Sequence, residues 1–150
     1  MRKLLVTLIA LAALAGCATT GKLSSDERLA LYRAHAGEPV KDFQYFGSLN
    51  GWTELGDSAL AVWTRPSEAY LLELMGPCID LDFAPAISVT NQMGRVSARF
   101  DSVIVLGAGL GGPGIPCRIQ TIRPVDVKGL RQTEKALREA RLQEREAAKP

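Results

Sequence analysis

The chain is 150 residues long and 47% hydrophobic, with 18 Lys and Arg against 16 Asp and Glu and a single histidine. Two of the cations, Arg2 and Lys3, stand ahead of an uncharged N-terminal run; without them 16 basic residues balance 16 acidic ones, so charge gives no ground for a nucleic-acid or anionic-lipid partner. The remaining stretch of about 134 residues suffices for one domain with a real core and is too short for two.

From Leu4 to Ala15 the chain carries no charge, and with Arg2 and Lys3 in front this is the layout of a secretory signal. About twelve residues make roughly 18 Å of helix, well short of the roughly 30 Å hydrocarbon core of a bilayer, so a spanning helix is not expected. Leu14-Ala15-Gly16-Cys17 then resembles the lipobox of bacterial lipoprotein precursors. That resemblance implies cleavage before Cys17, a diacylglyceryl group on its thiol and an acyl chain such as palmitate on the new amino terminus. More than one chain on one residue makes a stable anchor. Ala18 follows the cysteine where an Asp would favour inner-membrane retention, which implies the periplasmic face of the outer membrane. On this reading residues 1–16 are signal peptide, 17–24 a lipidated tether, 25–132 a single β-rich domain and 133–150 a charged helical tail.

Ser24 stands three residues before Glu27, a capping-box spacing, and Leu29, Tyr32 and Ala36 share one face before Gly37, which predicts a helix from Ser25 to Ala36. From Val40 onward the chain turns to short apolar and aromatic runs: Asp42 to Leu49, Ala59 to Thr64, Ala69 to Met75, Ala86 to Thr90, Val96 to Phe100, Val103 to Leu106 and Cys117 to Ile122. Asn50-Gly51, Gly56-Asp57, Arg65-Pro66-Ser67 and Met93-Gly94 punctuate them as turns. Ser97 and Arg99 alternate with Val96, Ala98 and Phe100, as a strand with one wet face requires. Around Trp63 and Tyr70 both faces are apolar, which places those two strands centrally. Asp126 is positioned to cap a second helix with a thin apolar stripe of Val127, Leu130, Leu137 and Ala140 and an i, i+4 pair of Glu134 with Arg138. Its first half is expected to dock and its tail to be solvated. The fold class expected is mainly β (α+β): a small antiparallel barrel or sandwich with an N-terminal helix and a charged C-terminal helix.

Chemistry-bearing residues are few. Two overlapping G-x-G-x-x-G matches lie between Gly107 and Gly114, but a dinucleotide fingerprint needs a helix next, and Ile115-Pro116-Cys117 reads as a return to strand. His35 is the sole histidine and falls at a helix end, so no multi-histidine metal site or histidine-based triad can be assembled without it. Asp80, Asp82 and Asp101 read as solvated loop carboxylates; the run from Asp80 lacks the glycine and closing glutamate of a calcium loop. With Cys17 lipidated, Cys78 and Cys117 remain, and in an oxidising compartment their bond closes a loop of about 40 residues with a chain-entropy value of roughly 4 kcal/mol. A metal or redox pair would instead call for C-x-x-C spacing or a neighbouring histidine. Trp52, Trp63 and Tyr70, with Phe43, Tyr45 and Phe46, are either a sheet core or the wall of a ligand cleft.

Asn50-Gly51-Trp52, Ala61-Val62-Trp63-Thr64-Arg65-Pro66, Pro77-Cys78 and Pro116-Cys117-Arg118-Ile119 together resemble a family of small bacterial lipoproteins catalogued as a domain of unknown function, over about Ser25 to Gln132. The resemblance implies an exported domain with Cys78 and Cys117 paired, and it brings no activity, cofactor or catalytic residue. The expected function is a non-enzymatic envelope lipoprotein, held at the membrane through Cys17 and binding another envelope component, with no cofactor, metal or nucleic acid. The alternative is a small-ligand or glycan module using an aromatic cleft at Trp52, Trp63 and Tyr70.

Overall fold

Ser24 caps the first helix as its spacing predicts: Glu27 N–H donates to Ser24 Oγ at 3.2 Å and Ser24 N–H donates back to the Glu27 carboxylate at 2.7 Å. In the computed structural model, which describes residues 22–107 and 114–149, this helix, α1, runs Ser25–Ala34. It stops two residues short of the expected Ala36 because His35 takes the C-cap and Ala36 bridges to Val125 instead. The expected signal segment, Cys17, most of the expected tether and residues 108–113 of the glycine-rich stretch lie outside the described residues.

Eight strands follow: β1 Asp42–Gln44, β2 Gly51–Glu54, β3 Ala59–Arg65, β4 Glu68–Leu74, β5 Ala86–Val89, β6 Arg95–Ser97, β7 Ser102–Leu106 and β8 Cys117–Val125. A short 3-10 turn occupies Leu81–Phe83, and α2, Val127–Ala147, closes the order without a break at Gln132. All strand neighbours are antiparallel. One sheet has the order β2-β3-β4-β8-β7-β5, and β1 with β6 makes a second, two-stranded sheet. Among the described residues no ladder joins β2 to β5, so the larger sheet stays open and the barrel alternative is excluded.

Three local expectations give way to tertiary context. The apolar run from Asp42 pairs only as far as Gln44; Tyr45 N–H still reaches Gly94 C=O at 2.7 Å, after which Gly47 takes a positive φ of 87° and the chain leaves the sheet. Asn50-Gly51, read as a turn, instead begins strand β2. The run Val96 to Phe100 ends at Ser97 because Arg99 turns with φ 69° and Asp101 N–H returns to Ser97 C=O. Met93-Gly94 is the turn its residues suggest, with φ of 51° and 74° and reciprocal Gln92–Arg95 hydrogen bonds, the positive-φ pair that suits a two-residue reversal.

Alternation along β3 and β4 builds two cores. Leu60, Val62, Leu72 and Leu74 point to the side covered by Phe43 of β1 and Val96 of β6, where Ile119, Ile122, Val103 and Val105 join them. On the other side the sheet presents small residues, Ala59 and Ala61, beside Leu71. Those alanines let Tyr32 of α1 and Leu130 of α2 approach the backbone, and both are buried. Both faces of β3 and β4 are therefore apolar, as interior strands require. Burying one such leucine is worth about 2–3 kcal/mol.

The helices run antiparallel. His35 C=O accepts from Asp126 N–H at 2.8 Å at one end, and Glu27 pairs with Arg141 at 3.6 Å at the other. Asp126 caps α2 by accepting from Gly129 N–H at 3.1 Å, and a Cβ at Gly129 would collide with that carboxylate and press on the His35 ring. Beyond Leu130 the helix is mostly exposed. Its i, i+4 pair is Lys135 with Glu139 at 3.9 Å rather than Glu134 with Arg138. No helix among the described residues is long and apolar enough to cross a membrane.

Candidate binding site

The three aromatic residues singled out in the sequence do not meet in one cleft. Trp52 pairs with Val62 and Val62 with Tyr70, so Trp52 and Tyr70 share the face of the first core. Trp63, one residue on from Val62, points the other way, against the helices; its indole N–H donates to Thr53 Oγ1 at 3.2 Å and the Arg131 guanidinium sits 5.7 Å from its ring. Pleating by itself dictates this, because adjacent positions in a strand face opposite sides. Tyr70 is also committed: its ring stacks on Phe43 at 4.6 Å, and its hydroxyl donates to Glu68 at 3.0 Å. Burial, with the Glu68 carboxylate beside it, pushes the Tyr70 hydroxyl pKa up.

Trp52 does line a pocket, of about 340 Å³, with Tyr45, Leu49, Ile87 and Leu106 among its walls. This pocket joins the two ends of the open sheet, since both β2 and β5 contribute to it. Leu55 N–H bonds Ala59 C=O at 3.1 Å, so by antiparallel alternation the backbone groups of Trp52 and Glu54 face outward from β2. Thr90 N–H bonds Ser102 C=O at 2.9 Å, which likewise turns Ile87 and Val89 outward from β5. Two rows of open backbone donors and acceptors thus flank one depression of mixed polarity with Trp52 in its wall. Strand spacing left no trace of this in the sequence, because β2 is only four residues long and hidden behind a turn signal.

A larger groove, about 690 Å³, opens between the small sheet and β8, where Val40, Ala98 and Phe100 supply apolar surface and Lys41, Arg99 and Arg123 cations. Phe100 is 71% exposed there. No motif in the sequence foreshadowed it; the exposed apolar residue at the end of a presumed strand was the one available signal.

The loop acids separate. Asp101, expected in solvent, is buried at 2% exposure: Thr90 Oγ1 and Ser97 N–H each donate to its carboxylate at 2.8 Å. Asp80 and Asp82 are exposed, and Asp80 takes a left-handed φ of 64° ahead of the 3-10 turn. Partial desolvation, then the charges of Asp57 and Glu54, push the Asp82 carboxyl above its usual range. A carboxyl raised on folding favours the folded state at low pH and loses that contribution as pH rises through its folded pKa. Asp82→Asn should therefore raise the melting temperature slightly at pH 7 and leave it unchanged below about pH 3, where both carboxyl forms are protonated. An equal shift at both pH values would remove the electrostatic explanation.

His35 sits at the helix end as expected, its Nε2 3.0 Å from Thr133 Oγ1, locking α1 to α2. Cys78 and Cys117 form the disulfide, 39 residues apart. After β7 and the glycine-rich stretch the chain returns as strand β8, not as a phosphate-holding helix. Among the described residues no group of three His, Cys, Asp or Glu is placed to hold a metal ion.

These features define a class: a disulfide-linked domain of two antiparallel sheets and two helices, with an open-edged pocket and an amphipathic groove. The chain belongs to a family of unknown function (DUF6491), whose pattern matches residues 1–141. No curated protein and no solved structure matches it.

Proposed function

We propose that the protein is exported, anchored through a lipid on Cys17 to the periplasmic face of the bacterial outer membrane, and acts without catalysis by binding another envelope component. The anchor rests on the run from Arg2 to Cys17. What supports the binding reading is the pair of open sheet edges facing each other across the Trp52 pocket: an extended segment of a partner protein would satisfy the outward backbone groups of β2 or β5 while a side chain entered the pocket. A non-catalytic role fits the engagements of the obvious reactive groups, with His35 held by Thr133 and Asp101 by Thr90 and Ser97.

The test joins both parts. Labelled palmitate should enter the full chain and be absent from Cys17→Ala. A photo-cross-linking amino acid at Ser88, on the β5 wall of the pocket, should capture an envelope protein in cells, while the same group at Gln132 on the exposed face of α2 should not. No labelling ends the anchor reading; no Ser88-specific adduct ends the binding reading.

A second reading, a small-ligand or glycan-binding module, is favoured by the Trp52 pocket alone, since Trp63 and Tyr70 are engaged elsewhere. It requires the emission of Trp52 to shift on ligand titration in a Trp63→Phe background.

A further inference from the structure

We infer that the loops around the Cys78–Cys117 bond form a bilayer-contacting end of the domain, seated in lipid beside the anchor; the inference rests on the lipid-anchored reading of Cys17. Met75, Ile79, Phe83 and Ile115 lie on the segments that this bond ties together, and they are 55%, 69%, 87% and 71% exposed. Met75 N–H reaches Arg118 C=O at 3.0 Å, which joins the end of β4 to the start of β8 at the same place. Single exposed apolar side chains are ordinary on a soluble surface; here four large ones gather on cross-linked loops, with the exposed Asp80 and Asp82 between Ile79 and Phe83.

The described chain begins at this end. Ser25 Oγ donates to Glu54 at 3.2 Å, and Arg28 pairs with the same carboxylate at 2.7 Å. Glu54 closes β2, and in the turn that follows Asp57 C=O accepts from Cys78 N–H at 2.7 Å. The carboxylates of Glu54 and Asp57 both act on Asp82, so the start of α1, the β2–β3 turn and the 78–83 loop are neighbours. Cys17 and Ser24 are seven positions apart, a reach of at most about 25 Å fully extended.

A lipid on Cys17 therefore keeps this end within about 25 Å of the bilayer. The opposite end, with Arg65 and Phe46, stands about 20 Å from it along β3. A second copy is the poorer occupant, because two anchored chains meeting through these loops would have to turn the patch away from the bilayer that both tethers face.

The full chain carrying Phe83→Trp, purified from membranes and reconstituted into phosphatidylcholine vesicles brominated on the acyl chains, tests this. Phe46→Trp, at the opposite end and 58% exposed in the native side chain, is the control. Added emission over the parent chain should fall to roughly half at position 83 and stay unchanged at 46, as for a side chain lodged at the acyl boundary. The mass of the N-terminal peptide is read on the same preparation. Acylated Cys17 without quenching at 83, or with equal quenching at both positions, overturns the inference and leaves the anchor standing. An unacylated Cys17 overturns the anchor reading and the inference with it. A dimer abolished by Phe83→Ser, with no quenching at 83, assigns the patch to a second copy and also overturns it.

Discussion

Converting both Cys78 and Cys117 to serine should lower the free energy of unfolding by about 4 kcal/mol, the loop-closure entropy that a 39-residue separation withholds from the unfolded chain. For a domain of this size that corresponds to a fall of roughly 10–15 °C in melting temperature. The effect is large because the bond closes a long loop that the unfolded chain would otherwise leave free. Cys78 is 2% exposed, but its neighbours Ile79 and Asp80 are exposed, and the chain between β4 and β5 contains only one 3-10 turn. Urea unfolding followed by tryptophan emission is a suitable readout, with the reduced wild-type chain as the second arm. The reduced chain and the double serine variant should unfold at the same midpoint. A midpoint matching the oxidised protein would mean that the bond contributes nothing to stability.

Asp101→Ala should cost about 3 kcal/mol, although nothing about its position in the sequence marks it as structural. Its carboxylate accepts from the Ser97 N–H and from the Thr90 hydroxyl, and that hydroxyl oxygen in turn accepts from Ser102 N–H at 2.9 Å. Its backbone C=O accepts from Ile119 N–H at 3.0 Å. One side chain thus holds together the β6–β7 turn, the end of β5 and the start of β7, beside β8. Alanine leaves the half-buried Ser97 N–H and the half-buried Thr90 hydroxyl proton without an acceptor, each worth about 1–3 kcal/mol when stranded. Asp101→Asn keeps the shape and one acceptor, so it should lose about half as much. Both variants can be followed by the same urea titration. Alanine within about 0.5 kcal/mol of wild type would show that water replaces the lost acceptor, as at an ordinary surface site.

The helix starts were legible because caps are local chemistry. Ser24 with Glu27, and Asp126 ahead of Gly129, satisfy N–H groups that any helix leaves open, whatever it later packs against. The interior strands were legible for a similar reason: β3 and β4 carry apolar residues on both faces, and only a doubly covered strand can use them. The pairing of Cys78 with Cys117 followed from cysteine arithmetic once Cys17 was set aside. The opposed directions of Trp52 and Trp63 became visible only with the register, because β2 was concealed by Asn50-Gly51. Once β2 and β3 pair with Trp52 opposite Val62, pleating separates the two indoles.

What the sequence by itself determined is therefore the part governed by near neighbours: the cap sites, the strand-rich middle, the lone histidine at a helix end, the cysteine pair and the lipobox-like run that motivates the anchor. Tertiary structure decided everything that depends on which strands meet. It left the large sheet open, turned its two edge strands toward one pocket, and buried Asp101 where spacing alone suggested solvent. It also brought Met75, Ile79, Phe83 and Ile115 to the end where the described chain begins. The physical reason is range. A cap or an alternating strand is specified within a few residues, whereas an edge, a pocket or a patch exists only after segments tens of residues apart have been paired, and composition along the chain does not record which pairs will form.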